Sequence, residues 1–140
     1  MKITSIHPIK KSKVALPIYL ESIKAGFPSP ADDFIDKKLD LNDLLIKHPV
    51  ATFFVRVAGD SMIGAGIHSG DILVVDRALE AVNNNIVVAV INGELTVKRL
   101  RTTKGKVVLM PENTNYKPIE IKEDDNFSIW GVVTTVIHRV

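Results

Sequence analysis

Short apolar runs rich in valine and isoleucine follow one another through the chain after residue 50. β-Branched residues favour strands, and turn residues separate most of the runs. The pair Asn92-Gly93, between two such runs, is a strong signal for a tight hairpin. The predicted strands are Thr52–Val57, Ile72–Val75, Ile86–Ile91, Leu95–Leu100, Lys106–Met110 and Ile129–Ile137. Closely spaced strands with tight turns predict an all-β fold, a mainly antiparallel sandwich or barrel-like body.

The N-terminal part of the chain lacks this pattern. Its prolines, which interrupt helices and limit strand pairing, are Pro8, Pro17, Pro28 and Pro30. We therefore predict an extended arm over residues 1–30 and a β-rich domain over residues 31–140. Residues 36–47 contain a candidate for one short helix, which Asn42 or Asp40 would cap.

Composition narrows the class of protein. The chain has 140 residues, enough for one domain, and contains no cysteine, which excludes disulfides and thiolate chemistry. No apolar stretch is long enough to cross a bilayer and no apolar signal core is present, so we expect a cytoplasmic protein without membrane contact. Five lysines and one glutamate lie in residues 1–25, whereas the whole chain carries only +2. A solvated basic tail explains this asymmetry, and we expect no sequence-specific nucleic-acid binding.

One serine lies in a setting that suits nucleophilic chemistry. Ser61 follows a predicted strand, within the segment Ala58-Gly59-Asp60-Ser61-Met62-Ile63-Gly64. The flanking glycines permit a sharp turn, and the backbone around Gly59, Asp60 and Met62 could direct N–H groups at an oxyanion. Gly-Asp-Ser is also a common turn, so this segment alone does not establish catalysis.

A serine nucleophile needs a base, and a buried lysine can supply one. The histidines, which lack a carboxylate partner readable from sequence, are His7, His48, His68 and His138. Lys98 lies within an apolar strand, on the same face as Thr96 and Leu100. Burial of that face would lower the lysine pKa and favour the neutral amine. A solvated lysine on an edge strand is the alternative. Nothing in the sequence indicates a cofactor or a metal site.

Five motifs in order resemble one known family. They are Gly59-Asp60-Ser61-Met62, Gly70-Asp71-Ile72-Leu73-Val74-Val75-Asp76, Thr96-Val97-Lys98-Arg99-Leu100, the run from Leu109 to Ile119, and Ile129-Trp130-Gly131-Val132-Val133. Together they resemble the self-cleaving serine protease domain of the LexA, phage repressor and UmuD family. The segment Ala25-Gly26-Phe27-Pro28-Ser29-Pro30 resembles the cleavage segment of the UmuD branch in particular.

The resemblance implies a function. Ser61 would be the nucleophile, Lys98 the general base and Ala25-Gly26 the bond that the chain cuts in itself. A RecA filament on single-stranded DNA would stimulate this cleavage. The product would be a homodimeric accessory subunit of a UmuC-like Y-family translesion polymerase, acting in SOS mutagenesis after DNA damage. Two alternatives stay open: a protease that acts on other proteins, as a signal peptidase does, and a non-proteolytic dimeric binding module serving a polymerase or repressor system.

Overall fold

The computed structural model describes residues 1–9, 15–19 and 35–140. Its strands are β1 (Lys2–Pro8), β2 (Ala15–Tyr19), β3 (Ile35–Asp40), β4 (Thr52–Ala58), β5 (Ile72–Asp76), β6 (Ile86–Ile91), β7 (Glu94–Thr103), β8 (Lys106–Met110), β9 (Ile119–Glu120) and β10 (Phe127–Ile137). Its one helix within these ranges is α1 (Leu41–Leu45), and two 3₁₀ turns span Pro49–Ala51 and Ile63–Ala65. The chain forms two compact units, one of residues 1–9 with 48–140 and one of residues 10–47.

The larger unit is built on one antiparallel sheet in the order β1-β4-β5-β10-β6-β7-β8-β9. Strand β1 also pairs with β7, where Lys2 lies opposite Thr96. This extra pairing closes six of the strands into a ring, the arrangement of a small barrel. The predicted all-β, mainly antiparallel fold is confirmed.

Buried and exposed side chains alternate along the strands, and the buried ones form the core of this unit. In β4, Val55 and Val57 are buried while Arg56 between them is exposed, as the two-residue period of a strand requires. Strand β10 lies between β5 and β6, and its pairing with each of them has one register shift. Gly131 lies at one of these shifts, and a β carbon there would come within 2.6 Å of the Val75 side chain.

The predicted hairpin is present between β6 and β7. Asn92 and Gly93 both have positive φ angles, 49° and 83°, as a two-residue turn of the primed type requires. Ile91 and Glu94 are paired directly across it. The register of this hairpin matters for the site described below, because it sets Val87 opposite Lys98.

The first nine residues differ from the prediction of an extended arm over residues 1–30. Strand β1 pairs with β4 along its length, and Met1 is buried in the core. The physical reason is an alternating face: Ile3 packs against the core while Lys2 and Thr4 lie at the surface side of the strand. Pro8 stands at the end of β1, where a missing N–H disturbs pairing least.

In the smaller unit, β2 and β3 form an antiparallel pair that runs from Ala15 opposite Asp40 to Tyr19 opposite Ile35. The helix predicted within residues 36–47 is shorter than that range, because β3 occupies its first part. Asp40 caps α1 by accepting a hydrogen bond from the Asn42 backbone N–H at 2.9 Å. In the described part of the chain, no helix has the length and hydropathy needed to span a membrane.

Candidate active site

Ser61 lies directly after β4, where the chain leaves the sheet. Gly59 has a φ of 101°, a conformation that L side chains rarely adopt, and this bend redirects the chain. The 3₁₀ turn Ile63–Ala65 follows. Ser61 is thereby folded inward and is only 2% exposed.

A second segment, the one after β8, holds the serine loop in place. The Glu112 backbone N–H donates to the Ser61 carbonyl at 2.8 Å, and the Gly64 N–H donates to the Glu112 carbonyl at 2.8 Å. A β carbon on Gly64 would lie 2.7 Å from that carbonyl oxygen, so the two segments approach as closely as glycine permits. The Glu112 side chain is itself held by an ion pair with Arg99 of β7.

Asp60 is held by the same second segment. Its backbone carbonyl accepts from the Asn113 side-chain amide at 2.9 Å, and its carboxylate accepts from the Tyr116 hydroxyl at 2.5 Å. The carboxylate raises the pKa of Tyr116 above its ordinary value, because ionising the phenol would break that hydrogen bond. Sequence reasoning named none of these contacts, although Glu112, Asn113 and Tyr116 all belong to the fourth quoted motif.

Lys98 reaches Ser61 from the middle of β7. Its Nζ lies 3.1 Å from Ser61 Oγ, 3.3 Å from Thr96 Oγ1 and 3.2 Å from the Val97 carbonyl oxygen. Lys98 is 6% exposed, and among the described residues no carboxylate forms an ion pair with it. Burial lowers the pKa of the Lys98 amine below its ordinary value, since the charged form loses hydration without gaining an opposite charge.

The Thr96 hydroxyl forms a second layer of contacts around the amine. It lies 3.3 Å from Lys98 Nζ and donates to the Met1 carbonyl at 3.3 Å, and that carbonyl also accepts from the Val97 N–H at 3.2 Å. The end of β1 thus supports the strand that carries Lys98. The two-residue spacing of Thr96 and Lys98 on one strand was the sequence signal for this contact.

The backbone N–H groups around Ser61 differ in whether they already have a hydrogen-bond acceptor. The Gly59 N–H donates to Ser69 Oγ at 3.2 Å and so already has a partner. Within the described residues, the N–H groups of Ser61 and Met62 have no hydrogen-bond acceptor. Gly59 therefore contributes the bend at this turn, and its own N–H is already occupied.

The remaining candidate residues lie apart from this pair or outside the described ranges. Ala25 and Gly26 fall outside the residues that the structure describes. Three of the histidines have carboxylate partners elsewhere: His48 lies 2.6 Å from Asp76, and Asp71 lies 2.6 Å from His138 and 3.7 Å from His68. In the described part of the chain, Lys98 alone provides a basic side chain to the Ser61 hydroxyl.

The chain is similar to known proteins over most of its length. A family model described as Peptidase S24-like matches residues 17–134. The chain belongs to this family. The resemblance to the LexA and UmuD group is confirmed, and a serine peptidase of that kind is supported at the level of the family.

Relatives of the S24-like chain cover most of its length. Protein SamA of Salmonella typhimurium is 47% identical over 88% of this chain and 85% of its own. Protein MucA of the same species is 46% identical over 96% of this chain and 92% of its own. The LexA repressor of Stenotrophomonas maltophilia is 42% identical over 84% of this chain but only 54% of its own length, so it has sequence beyond the shared part.

Proposed function

We propose that this S24-like chain is a self-cleaving serine endopeptidase in which Ser61 is the nucleophile and Lys98 the general base. The observation that carries the proposal is the 3.1 Å contact between Lys98 Nζ and Ser61 Oγ, with both side chains buried. A lysine can accept a proton only when it is neutral, and burial without an ion-pair partner favours that form. The contact and the burial together support a serine activated by an amine.

The chemistry follows from the atoms of this pair. Neutral Lys98 takes the Ser61 hydroxyl proton while Oγ attacks the Ala25 carbonyl carbon, and the N–H groups of Ser61 and Met62 hydrogen-bond the resulting oxyanion. The intermediate collapses by breaking the bond to the Gly26 nitrogen, which receives the proton from Lys98. Water then attacks the Ala25 ester, Lys98 again acting as base, and Ser61 is released. Each site performs this reaction once, on its own chain or on the other chain of a homodimer.

The proposed substrate is the Ala25-Gly26 bond of residues 20–34. Strands β2 and β3 flank this range, and their pairing brings Tyr19 opposite Ile35. A small side chain at Ala25 and none at Gly26 would allow close approach by Ser61.

The proposed biological role rests on the resemblance to UmuD and on the similarity to MucA and SamA. In it, a RecA–single-stranded DNA filament favours the state in which the Ala25-Gly26 bond occupies the site. The cleaved homodimer then serves a UmuC-like Y-family translesion polymerase in SOS mutagenesis. Removal of residues 1–25 takes away five lysines and one glutamate, which converts a chain of net charge +2 into one of net −2. We expect this change of sign to alter the choice of partner.

The test is intact-mass analysis of the purified chain incubated with RecA, single-stranded DNA and a nucleotide analogue. Ser61→Ala and Lys98→Ala serve as the matched variants. A cut after Ala25 in the parent that is absent from both variants supports the dyad and the bond together. No cut in the parent, or a cut that survives Ser61→Ala, would contradict the proposal and favour the non-proteolytic binding module.

Mixing experiments with the same proteins address cleavage within one chain or between two. A mass-tagged Ser61→Ala chain is incubated with the active parent at equal concentration. Cleavage of the tagged chain would indicate attack by one chain on another. Its persistence while the parent is cut would indicate attack within each chain.

A further inference from the structure

A cluster of two histidines and one aspartate lies at the end of β10, among residues that the proposed cleavage does not use. His138 Nδ1 is 2.6 Å from Asp71 Oδ1, and His68 Nδ1 is 3.7 Å from Asp71 Oδ2. The ligand atoms of the three residues all lie within 4.8 Å of one another. His68 and Asp71 belong to the turn before β5, whereas His138 follows β10, so the tertiary fold alone brings them together.

The aspartate of this cluster is buried, whereas its two histidine rings are partly exposed. The Asp71 side chain is 3% exposed, while the His68 and His138 rings are 45% and 44% exposed. The Nδ1 atom of His68 is nevertheless buried, and within the described residues it has no hydrogen-bond partner. Both rings therefore direct Nδ1 inward toward one carboxylate, and their outer edges face solvent. An unsatisfied buried nitrogen is rare in folded proteins and calls for a partner.

We propose that His68, Asp71 and His138 form a binding site for a zinc-class divalent transition-metal ion. Two imidazole nitrogens and one carboxylate oxygen are a donor set that such ions accept, with a water molecule in the fourth position. Neighbouring ligands of a tetrahedral ion bound at about 2.0 Å lie about 3.3 Å apart. His138 Nδ1 lies 2.6 Å from Asp71 Oδ1 and His68 Nδ1 lies 3.7 Å from Asp71 Oδ2, so each ring faces a different oxygen of the carboxylate. These two separations lie on either side of that value.

The turn that carries Asp71 already orients its carboxylate. The His68 backbone N–H donates to Asp71 Oδ2 at 2.7 Å, and the Asp71 N–H donates to the His68 carbonyl at 3.1 Å. Hydrogen bonds of this kind fix the direction of a ligating oxygen and strengthen metal binding. The site would thus need small movements of the two rings rather than a rearrangement of the backbone.

Two arginines, Arg56 and Arg139, border the site, and positive charges close to a site disfavour the binding of a metal cation. A surface cavity of about 360 Å³ is lined by Arg56 and Arg139 together with Asp71 and His138. The Arg56 guanidinium donates to the Gly70 carbonyl at 3.0 Å, so it is engaged beside the carboxylate rather than on it. The cavity also leaves room for the water that would complete the coordination.

The chain contains a matched control for this proposal. His48 and Asp76 form a similar pair, with a nitrogen–oxygen distance of 2.6 Å, a ring 47% exposed and a carboxylate 5% exposed. No second histidine joins that pair in the described residues. A lone histidine–aspartate pair lacks the third ligand, so His48 should not contribute to metal affinity.

The experiment titrates the intact chain with Zn²⁺ in a calorimeter, using Ser61→Ala as the background so that the chain stays uncleaved. We expect one ion per chain and a shift of the His68 and His138 Nδ1 nitrogen resonances. His68→Gln and His138→Gln should each weaken binding by at least about tenfold, whereas His48→Gln should leave it unchanged. Mg²⁺ should not compete, because imidazole ligands favour zinc-class ions.

Three results would overturn the site. One is no stoichiometric Zn²⁺ binding, another is affinity that survives both His68→Gln and His138→Gln, and the third is an equal loss in His48→Gln. Effective competition by Mg²⁺ would overturn the assignment to the zinc class. Binding is read without any cleavage, so failure of the metal site and failure of the proposed protease remain separate outcomes.

Discussion

Lys98 and Asp71 are both buried ionisable residues, but their surroundings differ. Lys98 contacts the hydroxyls of Ser61 and Thr96 and the backbone carbonyl of Val97. It also interacts with the N-terminal amine of Met1, whose pKa burial lowers to about 5. Asp71 contacts a backbone N–H and two imidazole rings. The first group has no opposite charge nearby, whereas the second accepts hydrogen bonds from the His68 backbone N–H and the His138 ring.

The pKa of each group lies below its ordinary value, with opposite chemical consequences. For Lys98, burial lowers the pKa and so favours the neutral amine, which can accept a proton. For Asp71, burial opposes ionisation, but hydrogen bonds from the His68 backbone and the His138 ring outweigh it and keep the carboxylate charged. Burial alone therefore does not decide reactivity; the partners of the buried group decide it.

The largest expected effect is at Lys98, where a substitution should greatly reduce self-cleavage without lowering the free energy of unfolding. Lys98→Met keeps the length and apolar stem but removes the amine, so we expect self-cleavage to fall by at least about 10³-fold. The free energy of unfolding should be unchanged or higher, because an apolar side chain needs no hydration. Cleavage is followed by intact mass, and unfolding by urea denaturation.

Lys98→Arg is the control for that variant, since arginine stays charged and cannot act as the base. It should be as inactive as Lys98→Met yet less stable, because a permanent charge would be buried without a partner. Substantial cleavage by either variant would exclude Lys98 as the base.

Substitution of Asp71 should lower the free energy of unfolding, in contrast to Lys98→Met. Asp71→Ala leaves the His68 N–H and the His138 ring without their acceptor, and we expect a loss of about 3 kcal/mol in the free energy of unfolding. The lowered folded pKa stabilises the parent above the ordinary value of 3.8, and this contribution is lost as the pH falls through the folded pKa.

Urea denaturation of parent and Asp71→Ala between pH 2 and pH 7 measures this difference. The two curves should converge at the acid end. A constant gap over the whole range would mean that the carboxylate contributes through packing rather than charge.

The pH dependence of self-cleavage tests the neutral-amine argument directly. Without RecA, the rate should rise about tenfold per pH unit while Lys98 is mostly protonated and level off above its folded pKa, below the ordinary 10.5. Cleavage is measured over a series of alkaline buffers in which circular dichroism shows the chain folded. A flat profile would contradict lysine as the base.

Thr96 provides the smallest of these effects. Thr96→Val removes one acceptor of the Lys98 ammonium form, so the midpoint of the pH profile should move to lower pH, and the plateau rate should fall less than tenfold. Thr96→Ser keeps the hydroxyl and should restore the parental midpoint. A midpoint identical in Thr96→Val and the parent would show that the hydroxyl does not influence the amine.

Much of the fold and of the candidate site was predictable from local sequence. The strands and the Asn92-Gly93 hairpin could be predicted, because side-chain alternation and turn chemistry act over a few residues. Ser61 and Lys98 were selected by motifs in a fixed order, and Lys98 by its place within an apolar strand. Their roles remain proposals that the cleavage experiments test.

Other features were not predictable, for reasons that differ from case to case. The first residues read as an arm because Pro8 masked an alternating segment whose partner, β4, lies far along the chain. The Gly59 N–H was assigned to the oxyanion, but its contact with Ser69 arises only when two turns meet. His68 and His138 appeared as isolated residues, since nothing in their neighbourhood signals the other.

By itself, the sequence indicated the β class and the position of the hairpin, because periodicity and turn residues are properties of short stretches of chain. The candidate nucleophile and base came from the resemblance of five ordered motifs to a known family. Only the tertiary structure decided that Lys98 Nζ lies 3.1 Å from Ser61 Oγ, that β1 joins the sheet, and that His138 meets Asp71. Those contacts join residues far apart in the chain, and strand pairing and core packing bring them together at distances that no local pattern encodes.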